Sequence, residues 1–413
     1  MRAKHDSSNA SGTMTAQERR SSISLAGIFA LRMLGLFLIL PVFAVYARHL
    51  PGGDNDFLVG LTLGIYGLTQ SVLQIPFGAA SDRLGRKPVI IAGLLLFIVG
   101  SVVAAMGSSI WAVMIGRALQ GAGAISAAVT ALIADSVRDH VITKAMALVG
   151  ASIGLTFAFS LVAAPPLTEL WGVPGLFWLT AVLSAGAVWI VLKVVPDVPV
   201  IAAEDAKDHK PWPKVAFDPQ LMRLNAGIFC LHCVQMALFV VIPTQLVEMG
   251  LPVLHHWYIY LPAVLIGFAI MMKPIVWAER NRRVATLLRL NVLLLAVVFA
   301  LFSFLMHSIW EVAFLMTLFF IGFNILEATL PGLISRTAPK ADKGLALGIY
   351  NTTQSFGLFV GGAAGGWIAQ HFSSQAVFHA SSFAMLCWFL LALGLKEPKP
   401  RKQHEQGEAI QVR

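Results

Sequence analysis

The chain has 413 residues, of which 57% are hydrophobic and only 12% are charged, and its mean hydropathy is +0.76. In soluble globular domains about a quarter of all residues are charged, so this composition excludes an ordinary soluble protein and indicates a membrane protein. The formal net charge of +9 follows from basic residues between the hydrophobic blocks, so we expect a lipid bilayer as partner and no nucleic acid.

Hydrophobic blocks of helical length recur along the whole chain. A helix needs about 20 apolar residues to cross a bilayer core, and the blocks lack the alternation of barrel strands. We therefore predict an all-α membrane protein. The twelve predicted transmembrane helices are residues 24–47, 57–80, 88–107, 110–134, 141–164, 173–193, 221–247, 256–277, 284–306, 309–334, 343–369 and 374–395.

Lysine and arginine are distributed unequally between the two sets of predicted loops. Of 30 such residues, only Arg48 lies in a predicted loop on the side opposite to the chain ends. Cytoplasmic loops are enriched in these residues. We therefore expect a multi-pass protein of the cell inner membrane with both termini in the cytoplasm.

A charged, proline-containing segment divides the predicted helices into two sets of six. It comprises residues 196–220 and predicts a cytoplasmic linker. The predicted organisation is a cytoplasmic N-terminal tail (1–22), a six-helix bundle (23–195), the linker (196–220), a second six-helix bundle (221–396) and a cytoplasmic C-terminal tail (397–413).

Short repeats relate the two sets of helices. "SDRLGR" (81–86) follows the second predicted helix and resembles "AERNRR" (278–283) after the eighth. "KAMAL" (144–148) opens the fifth helix and resembles "KGLAL" (343–347) at the eleventh. Two six-helix halves with internal repeats are typical of secondary transporters, whose site lies between the halves near the middle of the membrane.

Two motifs carry a resemblance to a known family. "GAASDRLGRK" (78–87) resembles the G-x-x-x-D-R-x-G-R-K/R signature between helices 2 and 3 of the major facilitator superfamily. "RALQGAGA" (117–124) resembles the helix 4 signature of its proton-coupled drug-antiporter branch. The resemblance covers about residues 15–397. It implies two six-helix bundles (6+6) related by a pseudo-twofold axis, and a monomer that carries a small molecule by alternating access.

Two features depart from that branch. The helix 5 signature G-x-x-x-G-P-x-x-G-G is eroded in "GASIGLTFAFSLVAAPPL" (150–167), so the resemblance does not establish drugs as the cargo. Some similar transporters also carry a small soluble domain after helix 12, where this sequence has the short tail "KEPKPRKQHEQGEAIQVR".

The first motif predicts a gate between the two halves. Asp82 is expected beside the N-terminus of helix 11 near Gly344, where a helix dipole favours a carboxylate by about 0.3–1 kcal/mol. The resemblance implies that Arg86 pairs with Asp135 and that this cluster closes the cytoplasmic side when the protein opens outward. The alternative is that the basic residues only anchor the loop in the cytoplasm. The candidate gate residues are Gly78, Asp82, Arg83, Arg86, Lys87 and Asp135.

Two buried charges predict coupling to protons. Glu327 is seven residues from Ile334 at the end of its helix, about 11 Å deep, and Arg32 is about 12 Å beyond Ser24. Intramembrane charges are expensive and usually functional. A carboxylate in low dielectric favours its protonated form, whereas arginine stays charged. If the gap between them changes during transport, proton affinity changes with it; a permanent ion pair that fixes helix packing is the alternative.

Other polar residues in the predicted helices are weaker candidates. Arg117 is a second proton relay or a packing residue, and His232 is a proton acceptor or a packing histidine. The candidate cavity residues are Asn324, Gln120, Tyr66, Gln70, Asn351 and Gln354. "CLHC" (230–233) is a single cluster and structural metal sites usually take four ligands, so we expect no metal and no cofactor.

These observations predict a proton-coupled secondary active transporter that exports a small organic compound or drug. A proton symporter that imports a small metabolite is the alternative, because both can use one buried carboxylate. An ATP-driven pump is disfavoured because the sequence lacks a G-x-x-x-x-G-K-[ST] loop for phosphates. A membrane enzyme and a receptor or sensor are rival classes; the lack of an H-E-x-x-H motif disfavours the enzyme, and substrate-dependent flux would exclude the receptor. A cavity with one net acid would favour cations, whereas Arg32 and Arg117 with a neutral Glu327 would favour anions or neutral molecules.

Overall fold

A computed structural model describes residues 14–195, 212–339 and 342–397. Within these ranges the regular elements are helices, with no strand. They are α1 (Ala16–Phe37), α2 (Leu40–Ala47), α3 (Asp56–Leu84), α4 (Arg86–Met106), α5 (Ile110–Ala122), α6 (Ser126–Asp135), α7 (Asp139–Lys193), α8 (Trp212–Ala216), α9 (Pro219–Glu248), α10 (Trp257–Arg280), α11 (Val284–Phe304), α12 (Ile309–Thr337), α13 (Lys343–His371) and α14 (Ser374–Ala392).

These helices make twelve crossings of a membrane. Helices α1 and α2 form one apolar span and α5 with α6 another. Helix α7 contains two crossings, because Gly172 at φ 68° reverses the chain in a conformation that favours glycine. Ten segments among the described residues are apolar enough to span by composition alone; α13 is long enough but too rich in Gly and polar residues to meet that measure. The predicted twelve-helix, all-α fold is confirmed.

Two predicted boundaries differ from the structure. Helix α1 begins at Ala16, before the predicted start at residue 24, because Thr15 and Glu18 cap each other's backbone N–H groups in a capping box. The predicted linker ends in the five-residue helix α8 and the start of α9 at Pro219. Residues 196–211 of that linker lie outside the described part of the chain, as do residues 1–13 and 398–413 of the predicted tails.

The first six crossings meet the last six mainly where α3 packs on α13. At Gly60 a Cβ atom would lie 2.1 Å from the carbonyl oxygen of Gly362, and at Gly67 it would lie 2.3 Å from that of Ser355. Only glycine permits backbones to approach so closely. The contact continues to the helix ends, where Asp56 N donates to Gln370 Oε1 at 2.6 Å.

The same two helices separate toward their other ends. We call the end of the bundle where α1 begins the terminal face, and the other end the opposite face. Near the terminal face, a Cβ on Gly344 or Gly348 of α13 would meet nothing within 4 Å, and Gly78 of α3 faces Ala127 of its own half. The two halves are therefore closed together at the opposite face and apart at the terminal face.

The apolar core has the same asymmetry. One continuous cluster joins both halves, whereas the terminal end of the first half has a separate cluster built from α1, α4, α6 and α7. Phe157 of α7 crosses between the halves, with its ring centre 6.0 Å from Phe320 and 5.9 Å from Phe323 of α12. These three rings form an aromatic plug between the halves.

Candidate functional site

Glu327 lies within a cluster formed by three helices of the second half. Gln354 of α13 donates from Nε2 to Glu327 Oε1 at 3.3 Å, and the same amide nitrogen is 2.8 Å from His232 Nε2 of α9. His232 Nε2 lies 3.8 Å from Glu327 Oε2. We call Glu327, Gln354 and His232 the carboxylate cluster. Phe323 of the aromatic plug lies next to this cluster, and the centres of the Phe323 and His232 rings are 5.9 Å apart.

The hydrogen bonds assign the form of His232. Its Nδ1 is 3.2 Å from the carbonyl oxygen of Ile228, which only accepts, so Nδ1 carries a hydrogen. Its Nε2 then accepts the hydrogen bond from Gln354. This is a neutral imidazole rather than a cation paired with Glu327. Within the described chain, Glu327 Oε2 is buried without a hydrogen-bond partner.

Arg32 of α1 is 1% exposed and belongs to the first half. Its Nη1 donates to Ser126 Oγ at 2.5 Å, and its Cζ lies 5.8 Å from the centre of the Tyr66 ring. Its Nε and Nη2 have no hydrogen-bond partner among the described residues. These two atoms point along the same edge of the guanidinium plane, and together they form a two-pronged donor.

Arg117 is fully buried and also lies over the ring of Tyr66. Its Cζ is 5.0 Å from the ring centre, and Nη1 donates to Gln120 Oε1 at 3.0 Å. The backbone carbonyls of Gly35 and Leu63 accept further hydrogen bonds from it at 3.4 and 3.5 Å. Arg117 is therefore held in place by neutral acceptors, and its charge is fixed beside Tyr66.

Arg32 and Glu327 do not pair in this conformation. In residues 14–195, 212–339 and 342–397, neither Arg32 nor Arg117 has an acidic side chain within 4 Å. The carboxylate cluster and the group formed by Arg32, Arg117 and Tyr66 nevertheless lie at one level of the bundle. Gly67, next to Tyr66, contacts Ser355, next to Gln354. The alternative of a permanent Arg32–Glu327 bridge therefore has no counterpart in this structure.

The remaining cavity candidates are placed around these two clusters. Asn324 is 6% exposed and its Nδ2 lies close to Gly267 of α10. Gln70 is buried one turn beyond Tyr66, and Gln120 also donates to Ser101 at 2.8 Å. Asn351 is half-buried on α13. The structure adds residues that the sequence analysis did not select, namely Ser126, Ser101 and the buried Tyr350, one turn before Gln354.

The gate candidates form a cluster at the terminal face. Arg86 Nε donates to Asp135 Oδ2 at 2.9 Å, and Nη1 binds Ser81 and Asp82. Arg83 is exposed. Asp82 is largely exposed and pairs with Arg86, and a Cβ on Gly344 of α13 would meet nothing within 4 Å, so the expected contact of Asp82 with that helix end is not made here. In the second half Glu279 pairs with Arg336.

A further ion pair at this face was not predicted. Glu18 accepts hydrogen bonds from the backbone N and Nε of Arg138 at 3.0 and 2.7 Å, and from its Nη2 at 3.0 Å. The bond to Glu18 raises the pKa of Arg138, which therefore stays charged. The two residues are 120 positions apart in the sequence, so no local pattern indicates their contact.

The serine at 152 lies in "GASIG" (150–154), which has the G-x-S-x-G spacing of a hydrolase nucleophile. That motif requires a sharp strand-to-helix turn. Here Ser152 lies inside α7, and its hydroxyl donates to the backbone oxygens of Val149 and Ala26 at 2.7 and 3.3 Å. The helical backbone and these bonds argue against a nucleophile.

Twelve crossings in two halves, with buried charges at the level where the halves meet, define a secondary transporter. The sequence profile of the Major Facilitator Superfamily matches residues 25–330 and 276–412, and the chain belongs to this family. The chain is 43% identical to the inner membrane transport protein YajR of Escherichia coli K12, over 93% of this chain and 85% of that one. This confirms the resemblance inferred from the two motifs, and the chain is a transporter, not an enzyme.

More distant similarities agree with this assignment. The multidrug resistance protein MdtH of Proteus mirabilis is 25% identical over 81% of this chain and 84% of that one. The crystal structure of a bacterial homologue of the human lysosomal transporter Spinster, in an inward-facing and occupied conformation, matches with a TM-score of 0.71 at 11% identity. It covers 92% of this chain and 96% of that chain, and it supports the fold alone.

Proposed function

We propose that this protein is a proton-coupled secondary active transporter of the cell inner membrane that exports a small organic compound by alternating access. The observation that carries the proposal is the carboxylate of Glu327. It lies in the membrane-spanning part of α12, its partners are neutral, and one of its oxygens has no hydrogen-bond partner among the described residues. A carboxylate in this setting takes up a proton or another cation more readily than one paired with arginine.

The arrangement supports coupling to conformational change. The partners of Glu327 belong to α9 and α13 of the same half, so the carboxylate cluster moves as a unit. Arg32 belongs to the other half and does not pair with Glu327 here. When the halves rock, the gap between carboxylate and guanidinium changes, and so does the free energy of protonation. By linkage, proton binding then biases the equilibrium between the two orientations.

The conformation described here corresponds to an inward-open state if the terminal face is cytoplasmic. The excess of Lys and Arg in the loops at this face supports that orientation. In the outward-open state the terminal ends of α3 and α13 would meet, and Asp82 would reach the N-terminus of α13. Its carboxylate would then be favoured by the helix dipole. The cluster of Arg86 with Asp82 and Asp135 supports this role by holding the loop in position.

The direction of transport is proposed as export. The similarity to MdtH, which is named a multidrug resistance protein, supports export of an organic compound. One chain contains both halves and the complete carboxylate cluster, so we propose a monomer as the working unit.

The test uses purified protein in liposomes. A thermal-shift screen against metabolites and drugs first supplies a ligand, because ligand binding raises the melting temperature. Proton movement that follows addition of this ligand is then recorded with an internal pH-sensitive dye. The wild type is expected to move protons together with the ligand, whereas Glu327→Gln is expected to show no ligand-dependent proton movement. Ligand transport without any proton movement in the wild type would overturn the proposal.

A further inference from the structure

Arg32 has an unused two-pronged donor in the middle of the membrane. Its Nη1 is engaged by Ser126, whereas Nε and Nη2 have no partner within the described chain, although Arg32 is 1% exposed. Arginine keeps its charge even when buried. A buried guanidinium with one hydrogen bond is costly, so this edge is poised for a group that accepts two hydrogen bonds and carries negative charge.

The surroundings strengthen the positive potential at this edge. Arg117 adds a second fully buried cation, which also lies over the Tyr66 ring. The acidic residues of the first half that form ion pairs in the structure, Glu18, Asp56, Asp82 and Asp135, are engaged by other arginines near the ends of the helices. The two buried arginines therefore have no acidic partner among the described residues.

Polar groups without partners continue from this point along α3. The Tyr66 hydroxyl, Gln70 Oε1 and both amide atoms of Gln74 are buried and lack hydrogen-bond partners in the described residues. Their spacing of four residues places them on one side of the helix. Buried polar atoms in native proteins are nearly always satisfied, so this row, which begins at the Tyr66 ring under Arg32, indicates a polar site rather than a packing surface.

We infer that Arg32 binds the anionic group of the transported molecule, and that the substrate is a small organic acid whose carboxylate accepts from Nε and Nη2. The Tyr66 hydroxyl is a further donor to the same group. This inference rests on the proposed transport function and specifies its substrate class. Arg117 acts at a distance, as a fixed positive charge beside the Tyr66 ring.

Electrostatics of the cell membrane agree with export of such a molecule. With Glu327 ionised, Arg32 and Arg117 leave the site with one net positive charge, which one carboxylate neutralises and a cation would increase. The cytoplasmic side of a cell membrane is electrically negative, so the membrane potential itself drives an organic anion outward.

The test compares ligands that have nearly the same shape and different charge. Benzoate, benzamide and benzamidinium form one series, and the corresponding 2-naphthyl compounds form a larger one. Each is titrated into the purified full chain in lipid nanodiscs while the melting temperature is recorded. We expect the anion of at least one series to raise the melting temperature, and its amide and amidinium to raise it less or not at all.

Variants assign the effect to Arg32. In Arg32→Gln the preference for the anion over the amide is expected to fall at least about tenfold, because a charge-assisted pair of hydrogen bonds is lost. Tyr66→Phe keeps the ring that both arginines contact and is expected to weaken anion binding by a smaller factor. Lys273→Gln removes an exposed positive charge from α10 and is the matched control. It is expected to bind like the wild type.

The outcomes separate this inference from the proposed function. Equal stabilisation by acid and amide, no stabilisation by either acid, or an anion preference that survives undiminished in Arg32→Gln would overturn the anion site. Proton-linked transport of a non-anionic ligand would overturn it too and leave the proposed function intact. Anion binding that depends on Arg32 without proton-linked flux would support the site and contradict proton coupling.

Discussion

His232 Nε2 and Glu327 Oε2 lie 3.8 Å apart on α9 and α12, and the amide of Gln354 lies close to both side chains. The amide nitrogen carries two hydrogens and donates to both the imidazole and the carboxylate, so it links the two side chains. A neutral imidazole in this place keeps the carboxylate without a charged partner. This relationship determines which residue carries the proton in the proposed mechanism.

The first prediction concerns Glu327. Glu327→Gln keeps the shape and the bond to Gln354 but cannot ionise. We expect ligand-driven proton movement to fall to background, whereas exchange of ligand across the membrane persists. Fluorescence of an internal pH dye in liposomes measures the proton movement, and counterflow of labelled ligand measures the exchange. Glu311→Gln is the control, because Glu311 caps the other end of the same helix.

The second prediction separates His232 from Glu327. His232→Gln retains a group that accepts from Gln354 and removes the titratable ring. Proton movement per ligand is expected to stay as in the wild type, because the carboxylate is intact. The same liposome assay provides the measurement. A loss as complete as that of Glu327→Gln would make His232 the proton carrier instead.

The third prediction concerns the contact between α3 and α13. In Gly67→Ala the new Cβ would lie 2.3 Å from the carbonyl oxygen of Ser355. Overpacking costs about 1–3 kcal/mol, so the equilibrium should move away from the inward-open state by about 5- to 150-fold. Spin labels placed at the ends of α3 and α13 that lie at the opposite face report this shift as a longer distance between the labels.

Gly348→Ala provides the control for that experiment. It lies on α13 where a Cβ meets nothing within 4 Å. Alanine in a helix is favoured over glycine by about 0.5–1 kcal/mol. Distances in this variant should match the wild type, and a similar shift in both variants would contradict the close-contact interpretation.

The fourth prediction tests the gate. Asp82→Asn should leave the stability of the conformation described here almost unchanged, because the side chain is largely exposed in it. It should depopulate the outward-open form and slow transport several-fold. Rates of uptake, together with spin labels at the terminal ends of α3 and α13, measure this. Glu279→Gln, at the corresponding position of the second half, should have a smaller effect.

The fifth prediction concerns the Glu18–Arg138 pair. Glu18 is 6% exposed and accepts two hydrogen bonds from the Arg138 guanidinium and one from its backbone N, so Glu18→Gln removes the negative charge from a nearly buried acceptor and weakens these bonds. A loss of about 1–3 kcal/mol in the free energy of unfolding is expected. A double-mutant cycle with Arg138→Gln measures the coupling. A coupling energy near zero would show that the pair is only a surface contact.

The fold could be predicted because its signal is local. Twelve apolar blocks, a charged interruption after the sixth and repeated loop motifs each lie within a short stretch of sequence. The gate motif even indicated the Arg86–Asp135 contact through its resemblance to a family. The start of α1 was predicted too late, because Ser, Glu and Arg lowered its hydropathy while the capping box at Thr15 extended the helix.

The candidate site was only partly predictable. Depth along a helix placed Glu327 and Arg32 at similar levels, but depth says nothing about the direction in which a side chain points. Arg32 contacts Ser126, 94 residues away, and the Tyr66 ring contacts both arginines; these contacts depend on how the helices pack. Gln354 was one polar residue among several on α13 until packing placed it against His232.

The aromatic plug has a thermal consequence. Phe157 makes its ring contacts with Phe320 and Phe323 across the boundary between the halves. Opening the opposite face must wet these rings, and exposure of apolar surface carries a positive heat-capacity change. Hydrophobic attraction weakens on cooling. Chilling should therefore favour the outward orientation, and removal of the Phe157 ring should flatten this temperature response.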